Sequence, residues 1–117
     1  MAIHIQMSIK QNKLTIRLKG ELDQSVTEKL KVRVTEIIDK YDIKFLVLNF
    51  EQLNFMDSSG IGFIIGRYTQ LKKKSGKIYV CSMNDIIERI FLLSGLKKIC
   101  SIAKNEEDVD RLMGVIA

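Results

Sequence analysis

The sequence predicts an α/β fold, in which a single domain is built from a mostly parallel sheet with helices packed on it. The chain has 117 residues, a length typical of one domain. Strand-like apolar patterns alternate with segments of helical periodicity in the order ββαβαβαβα. Because strands alternate with helices after the first pair, right-handed crossovers and parallel neighbours are expected.

The N-terminal segment predicts a hairpin of two half-buried strands. Ile3, Ile5, Met7 and Ile9 alternate with polar residues in "IHIQMSI", and "LTIRL" repeats the pattern. The link "KQNK" is short enough for antiparallel pairing, which places the first strand at an edge of the sheet. Gly20 is expected to end the second strand.

Helical spacing then predicts a first helix that ends near Tyr41. Ser25 and Glu28 fit a capping box at its start. "KFLVLNF" predicts a buried strand, because it is apolar without alternation. A second helix follows Asp57, and Gly76 is expected to be its C-terminal cap.

The last third of the sequence continues the alternation. "KIYVCSM" predicts another buried strand, and Asn84 is expected to cap a third helix that Gly95 stops. "KKICSIA" is the predicted final strand. Asn105 or Glu106 then opens a last helix.

Composition argues against several classes of function. No apolar run approaches the roughly 18 residues of a membrane helix, and the N-terminus lacks a signal-peptide pattern. We therefore expect a cytoplasmic protein without a membrane partner. Cys81 and Cys100 are the only cysteines, each in an apolar run, and are expected to be buried free thiols. The net charge is +5, but its clearest cluster, "LKKKSGK", suits a helix C-terminus, so no direct nucleic-acid binding is expected.

Two polar loops, "GELDQS" and "FMDSSG", follow predicted parallel strands, where function gathers in open sheets. The adjacent hydroxyls of "DSSG" allow four interpretations: a nucleophile, an anion-binding helix start, a substrate of another enzyme, or a helix cap. The only histidine, His4, lies on the edge strand, and the motif is not G-x-S-x-G, so a hydrolase is disfavoured. Glu21, Asp23 and Asp57 indicate a cation site only weakly, and no metal or cofactor is expected.

Covalent phosphate is the interpretation best suited to a switch. A phosphate adds about −1.5 to −2 charges, and a helix N-terminus stabilises them without any rearrangement of the fold. Asp57 and Asp23 would oppose that charge locally. Capping favours Ser58 over Ser59 as the exposed N-cap residue, without excluding Ser59.

The second helix carries two glycines on one face. A helical wheel places a core stripe at Ile61, Ile64, Ile65, Tyr68 and Leu71. Ser59, Gly62 and Gly66 fall together away from that stripe, with Phe63 beside them. Since glycine in a helix costs roughly 1 kcal/mol relative to alanine, another backbone is expected to approach there. If the face is buried, a neighbouring element covers it; if it is exposed, which we favour, a partner docks there and Phe63 anchors it.

Three segments carry a family resemblance: "GELD" at 20–23, "LVLNFEQLNFMDSSGIGFIIGRY" at 46–68 and "LLSGLKKI" at 92–99. They resemble the anti-sigma factor antagonists of the STAS domain family (sulphate transporter and anti-sigma factor antagonist). The resemblance covers nearly the whole chain in order, so residues 1–117 are expected to form one STAS domain.

The resemblance implies a regulatory cycle for a protein that is not an enzyme. An anti-sigma factor, itself a serine kinase that binds an adenine nucleotide, holds a sporulation sigma factor inactive. The unphosphorylated antagonist binds this kinase and releases the sigma factor. Phosphorylation on Ser58 ends the binding, and a serine phosphatase restores it. The candidate partner-binding residues are Asp23, Asp57, Ser59, Gly60, Gly62, Phe63 and Gly66.

Two other functions remain open at this point. One is a module that binds a free phosphate or nucleotide at the helix start formed by residues 58–62. The other is a STAS scaffold subunit in a different regulatory assembly, such as a stress-signalling complex.

Overall fold

The computed structural model describes residues 3–114, which form one five-stranded sheet of order β1-β2-β3-β4-β5. The strands are β1 (His4–Lys10), β2 (Lys13–Leu22), β3 (Phe45–Met56), β4 (Lys77–Cys81) and β5 (Cys100–Ala103). The helices are α1 (Gln24–Lys40), α2 (Ser58–Lys72), α3 (Asp85–Ser94) and α4 (Glu106–Met113), with a 3-10 turn at Leu96–Lys98. β1 pairs antiparallel with β2, and the other neighbours are parallel. The predicted fold class and element order are confirmed.

The two faces of the sheet are covered unequally. Helices α1, α2 and α3 pack on one face over the larger core, whose fully buried members include Ile16, Val34, Leu48, Ile64 and Phe91. On the opposite face α4 covers a smaller cluster of Val47, Tyr79, Cys81 and Val109. Because burial of apolar surface is the main stabilising term in folding, the larger core holds α1 and α2 firmly in position.

Polar contacts supplement the small core under α4. Arg17 donates from Nε and Nη2 to the Glu106 carboxylate at 2.6 and 2.7 Å, and Asn49 donates to the same group at 2.7 Å. The hydrogen bond from Arg17 is the main cause of a lowered pKa at Glu106. Lys13 pairs with Asp110 at 2.8 Å. These half-buried pairs join the first turn of α4 and its middle to the sheet.

The first strand is less buried than predicted. Ile5 and Ile9 are 40% and 42% exposed, although Ile3 and Met7 pack partly against the larger core. The expectation of a half-buried strand is therefore wrong for β1. Helix α1 packs against the neighbouring strand β2, so the apolar side chains of the edge strand are only partly buried.

Gly20 does not end β2 as predicted. The strand continues to Leu22 through a bulge, in which Gly20 has a φ of 121° that favours glycine. β3 likewise extends beyond its predicted end to Met56. The longer pair brings the two polar loops side by side.

Helix boundaries were predicted with mixed success. The predicted capping box at Ser25 is wrong, because α1 begins at Gln24 and Asp23 is its N-cap. Asn84 and Asn105 cap α3 and α4, and Gly95 ends α3 at a φ of 80°. The predictions for Asn84 and Gly95 are confirmed, and of the two starts left open for α4, Asn105 is the N-cap and Glu106 the first helical residue.

The predicted C-cap of α2 is also wrong. The helix ends at Lys72, and Ser75, with a φ of 59°, adopts the left-handed conformation expected of Gly76. Gly76 is required for another reason: a Cβ there would lie 2.2 Å from the Lys44 carbonyl oxygen.

Two further predictions concern the cysteines and membranes. Cys81 and Cys100 are both buried free thiols, as predicted, and burial raises the pKa of Cys100 to about 12. Among the helices within residues 3–114, none has the length and apolarity needed to cross a membrane.

Candidate functional site

Two helix N-termini lie next to each other at the carboxyl edge of the sheet. Leu22 at the end of β2 is the register partner of Met56 at the end of β3. The next residue in each segment, Asp23 or Asp57, is the N-cap of the helix that follows. The Asp57 N–H also donates to the Leu22 carbonyl at 3.5 Å. The two loops that the sequence singled out therefore form one surface.

Asp57 determines how the start of α2 is capped. Its carboxylate accepts the Ser59 N–H at 2.9 Å and also accepts the Ser59 hydroxyl. The Asp57 carbonyl accepts the Gly60 N–H at 3.0 Å. The cap therefore occupies the side chain of Ser59.

Ser58 is the first residue of α2 and is exposed. The prediction that it is the N-cap is wrong, because Asp57 takes that position. Within the described part of the chain, the Ser58 hydroxyl has no hydrogen-bond partner, in contrast to that of Ser59. The structure thus presents one free hydroxyl beside the positive end of a helix.

Asp23 caps α1 in the same way. Its carboxylate accepts the Val26 N–H at 3.1 Å and the Ser25 hydroxyl at 2.9 Å. The Val26 bond first, and the Ser25 bond second, lower the pKa of Asp23, which is ionised at neutral pH. Two carboxylates, Asp23 and Asp57, consequently belong to the surface that carries Ser58.

The three glycines of α2 have two different environments. Gly60 is buried, and a Cβ there would lie 2.4 Å from Met56 Cγ and 3.2 Å from Leu22 Cδ2. Gly60 is therefore needed for packing, and the prediction that it offers binding surface is not supported by its burial. At Gly62 and Gly66 a Cβ would meet nothing within 4 Å. Of the two alternatives left by the sequence, the exposed glycine face is the one observed.

This glycine face forms one side of a groove between α1 and α2, with a volume of about 340 Å³. Its lining residues are Thr27, Glu28 and Lys31 on α1 and Ser59, Gly62, Phe63, Gly66 and Arg67 on α2. Since glycine has no side chain, the groove stays open beside Gly62 and Gly66. The groove begins next to the capped helix start and runs along α2.

The prediction of Phe63 as an exposed anchor is wrong, because Phe63 is only 4% exposed and belongs to the larger core. Ile65, which was predicted to be in the core, is 47% exposed. The buried face of α2 is centred on Gly60, Ile64 and Leu71, and is therefore rotated from the predicted apolar stripe.

Sequence reasoning missed Arg67, which is only 6% exposed. Its Cζ lies 5.4 Å from the centroid of the Phe63 ring, within reach of a cation–π interaction. Burial lowers the pKa of Arg67. One sequence signal was available: Arg67 stands four residues after Phe63 and four before Leu71, both of which are buried.

The weak indication of a cation site is not supported. Within residues 3–114 there is no group of three or more His, Cys, Asp or Glu side chains placed to hold a metal ion, and this includes Glu21, Asp23 and Asp57.

Comparison with known proteins agrees with the fold. The family pattern described as STAS domain matches residues 4–109. The anti-sigma F factor antagonist of Paenibacillus polymyxa is 38% identical over 106 residues, which cover 91% of each chain.

Two solved structures are also similar. The anti-sigma factor antagonist SpoIIAA in its unphosphorylated form matches with a TM-score of 0.86 and 30% identity, over 97% of this chain and 100% of that one. The Bacillus cell fate determinant SpoIIAA in the phosphorylated form matches with a TM-score of 0.76 and 31% identity, over 93% and 99%. The sequence pattern, the sheet order and these relatives agree along nearly the whole length, and the chain belongs to the STAS domain family.

Proposed function

We propose that this protein is an anti-sigma factor antagonist that is switched by phosphorylation of Ser58. Unphosphorylated, it binds an anti-sigma factor that is a serine kinase with a bound adenine nucleotide, and so releases a sporulation sigma factor in the cytoplasm. Phosphorylation by that kinase ends the binding, and a serine phosphatase reverses it. In this cycle the protein is a substrate and a regulator, and not an enzyme.

One observation carries the choice of residue. The Ser58 hydroxyl is exposed and without a partner among the described residues, whereas the adjacent Ser59 hydroxyl donates to the Asp57 cap. A kinase that approaches this surface meets Ser58 as the accessible nucleophile. Modification of Ser59 would first have to break the cap of α2.

The electrostatics explain how a phosphate acts as a switch without unfolding the domain. A phosphoserine carries about −1.5 to −2 charges, and the N-terminus of α2 stabilises them. Asp23 and Asp57 already make the surrounding surface acidic. The added charge therefore changes what a partner encounters, while the buried contacts below the helix start stay as they are.

The open glycine face supplies the proposed docking surface. Ser59 lines it near the start of α2, Gly62 and Gly66 leave room along the helix, and Asp23 and Asp57 are the N-caps of the two helices that form it. Buried Gly60 and Phe63 act from beneath, by holding the helix at its position on the sheet.

Similarity supports the proposal at the level of function. Two relatives, each aligned with this chain over at least nine-tenths of its own length, are named anti-sigma F factor antagonists. SpoIIAA, which is similar to this chain, has been solved in both phosphorylated and unphosphorylated forms.

Intact-mass measurement after incubation with the anti-sigma kinase and ATP tests the site. The wild-type protein should gain one phosphate. Ser58→Ala should gain none and should still bind the kinase, whereas Ser59→Ala, the matched control, should be modified. An unmodified wild-type protein that binds free nucleotide tightly would contradict the proposal, and so would a phosphate retained in Ser58→Ala.

Ser58→Asp tests the charge mechanism separately. It should bind the kinase at least tenfold more weakly, with an unchanged circular dichroism spectrum and melting temperature. Ser58→Asn is the uncharged control of similar shape and should bind more tightly than Ser58→Asp. Equal binding by the wild-type and Asp proteins would exclude a charge-based block.

A further inference from the structure

Arg67 is a charged side chain that the fold buries without giving it a partner. Only 6% of the residue is exposed, and its Nε and Nη1 atoms are buried with no hydrogen-bond acceptor among residues 3–114. Burial of an ionised group without a counter-charge costs stability, so such groups in native proteins are usually paired. The guanidinium therefore retains unused donor capacity.

The immediate surroundings do not supply the missing acceptor. The Phe63 ring lies 5.4 Å from the guanidinium carbon and attracts the cation through its face, but it accepts no conventional hydrogen bond. Glu28 lines the same groove from α1, yet it forms no ion pair with Arg67 in the described part of the chain. Because no acceptor is found among residues 3–114, one has to come from solvent or from a partner.

Access to Arg67 is provided by the groove between α1 and α2. Arg67 is one of its lining residues, together with Gly62 and Gly66, and no Cβ occupies the space above those glycines. A side chain that enters beside the glycines can thus reach Nη2, the guanidinium nitrogen that is not among the buried atoms. Lys31, which lines the opposite side, adds a second positive charge, so that with Glu28 the lining has a net charge of +1.

We propose that this groove accepts an acidic side chain of the anti-sigma factor, and that the Arg67 guanidinium binds its carboxylate. Arginine is suited to this role because its guanidinium stays charged, and Nη2 carries two N–H donors for charge-assisted hydrogen bonds to a carboxylate. Shielding from water strengthens the contact. The inference rests on the proposed function, whose docking surface it extends along α2.

The Arg67 contact is separate from the phosphate switch. Arg67 lies nine positions after Ser58 in α2, which corresponds to about 14 Å along the helix axis. That distance is beyond hydrogen-bonding reach, and Ser58 is not among the residues that line the groove. Arg67 therefore contributes affinity, and Ser58 controls whether the complex forms.

Arg67→Met tests the role of the charge while keeping an apolar stem of similar length. Affinity for the anti-sigma factor, measured by calorimetry, should fall at least tenfold, while the melting temperature of the free domain stays equal or rises, since an unpaired buried charge has been removed. Arg89→Met, on the exposed surface of α3, is the matched control and should bind like the wild type. Unchanged affinity in Arg67→Met, or a loss of stability equal to the loss of binding, would overturn the proposal.

A double-mutant cycle identifies the carboxylate. Each Asp and Glu of the anti-sigma factor is changed to Asn or Gln and titrated against the wild type and Arg67→Met. One position should weaken binding to the wild type at least tenfold and leave binding to Arg67→Met unchanged. If every acidic position has the same effect on both proteins, no carboxylate is bound by Arg67.

The two proposals fail in different ways. If the wild type neither binds the anti-sigma factor nor becomes phosphorylated, both are wrong. If the wild type binds, Ser58→Asp does not, and Arg67→Met binds like the wild type, only the role of Arg67 is wrong.

Discussion

The glycines of α2 lie in two regions: one is closely packed against the sheet, and the other is open to solvent. Gly60 faces the sheet, where Met56 and Leu22 leave no space for a Cβ. Gly62 and Gly66 face outward, where a Cβ would meet nothing. A glycine in a helix costs stability wherever it stands. At Gly60 close packing on the sheet offsets that cost, but at Gly62 and Gly66 nothing within the described domain does, which points to a role in binding.

Gly60→Leu should have the largest effect on stability. The new side chain would have to displace buried Met56, and overpacking of this kind costs up to about 3 kcal/mol of unfolding free energy. Urea denaturation measures the loss. Gly60→Ala is the graded control and should lose less. A Gly60→Leu protein as stable as the wild type would show that Gly60 is not closely packed, and so does not differ from Gly62 and Gly66.

Gly62→Leu should instead affect binding. The side chain would project into the groove and block a partner, so affinity for the anti-sigma factor should fall about tenfold, or ~1.4 kcal/mol. Calorimetry measures the affinity, and the melting temperature should not fall. A large loss of stability with intact binding would show that this face is internal.

Asp57→Ala tests the cap that supports both regions. Loss of the acceptor for the Ser59 N–H should cost about 1 kcal/mol of unfolding free energy. Asp57→Asn is the matched control, because asparagine caps helices about as well as aspartate. If the two variants are equally destabilised, the charge matters more than the hydrogen bond.

Gly66→Ala should have the smallest effect and the opposite sign. With open space at the Cβ, alanine should raise the unfolding free energy by about 0.5 kcal/mol. The methyl group is small, so partner binding should change much less than in Gly62→Leu. A destabilised Gly66→Ala would mean that the outward region is more crowded than the structure shows.

The sequence was a good guide to the elements and a poorer guide to their boundaries. Periodicity separated strands from helices correctly, and the isolated capping residues Asn84 and Gly95 were assigned correctly, whereas the start of α4 was left open between Asn105 and Glu106. Errors arose where several capping residues are adjacent. In "DSS" and "DQS" the aspartate and each serine can cap a helix, and the choice depends on where the preceding strand ends. The extended pairing of β2 with β3 made that choice, in favour of Asp23 and Asp57.

The orientation of α2 shows a second limit. The helical wheel treated Ile65 as core and Phe63 as surface, and both assignments were wrong. A helix with apolar residues on most sides has no single preferred face by periodicity. Neighbouring elements decide which residues are covered, and here the sheet and α1 cover Phe63 and Arg67.

By itself, the sequence determined the α/β class, the order of elements and the stretch that carries the proposed switch, because these depend on local patterns of hydrophobicity and capping. The tertiary structure alone decided that Gly60 is internal while Gly62 is open. It also decided that, among residues 3–114, the Ser58 hydroxyl is free where that of Ser59 is not, and Arg67 is buried without a partner. Each of these depends on contacts between residues that are distant in sequence or on the exact start of a helix. Such contacts arise only when β2, β3, α1 and α2 pack together.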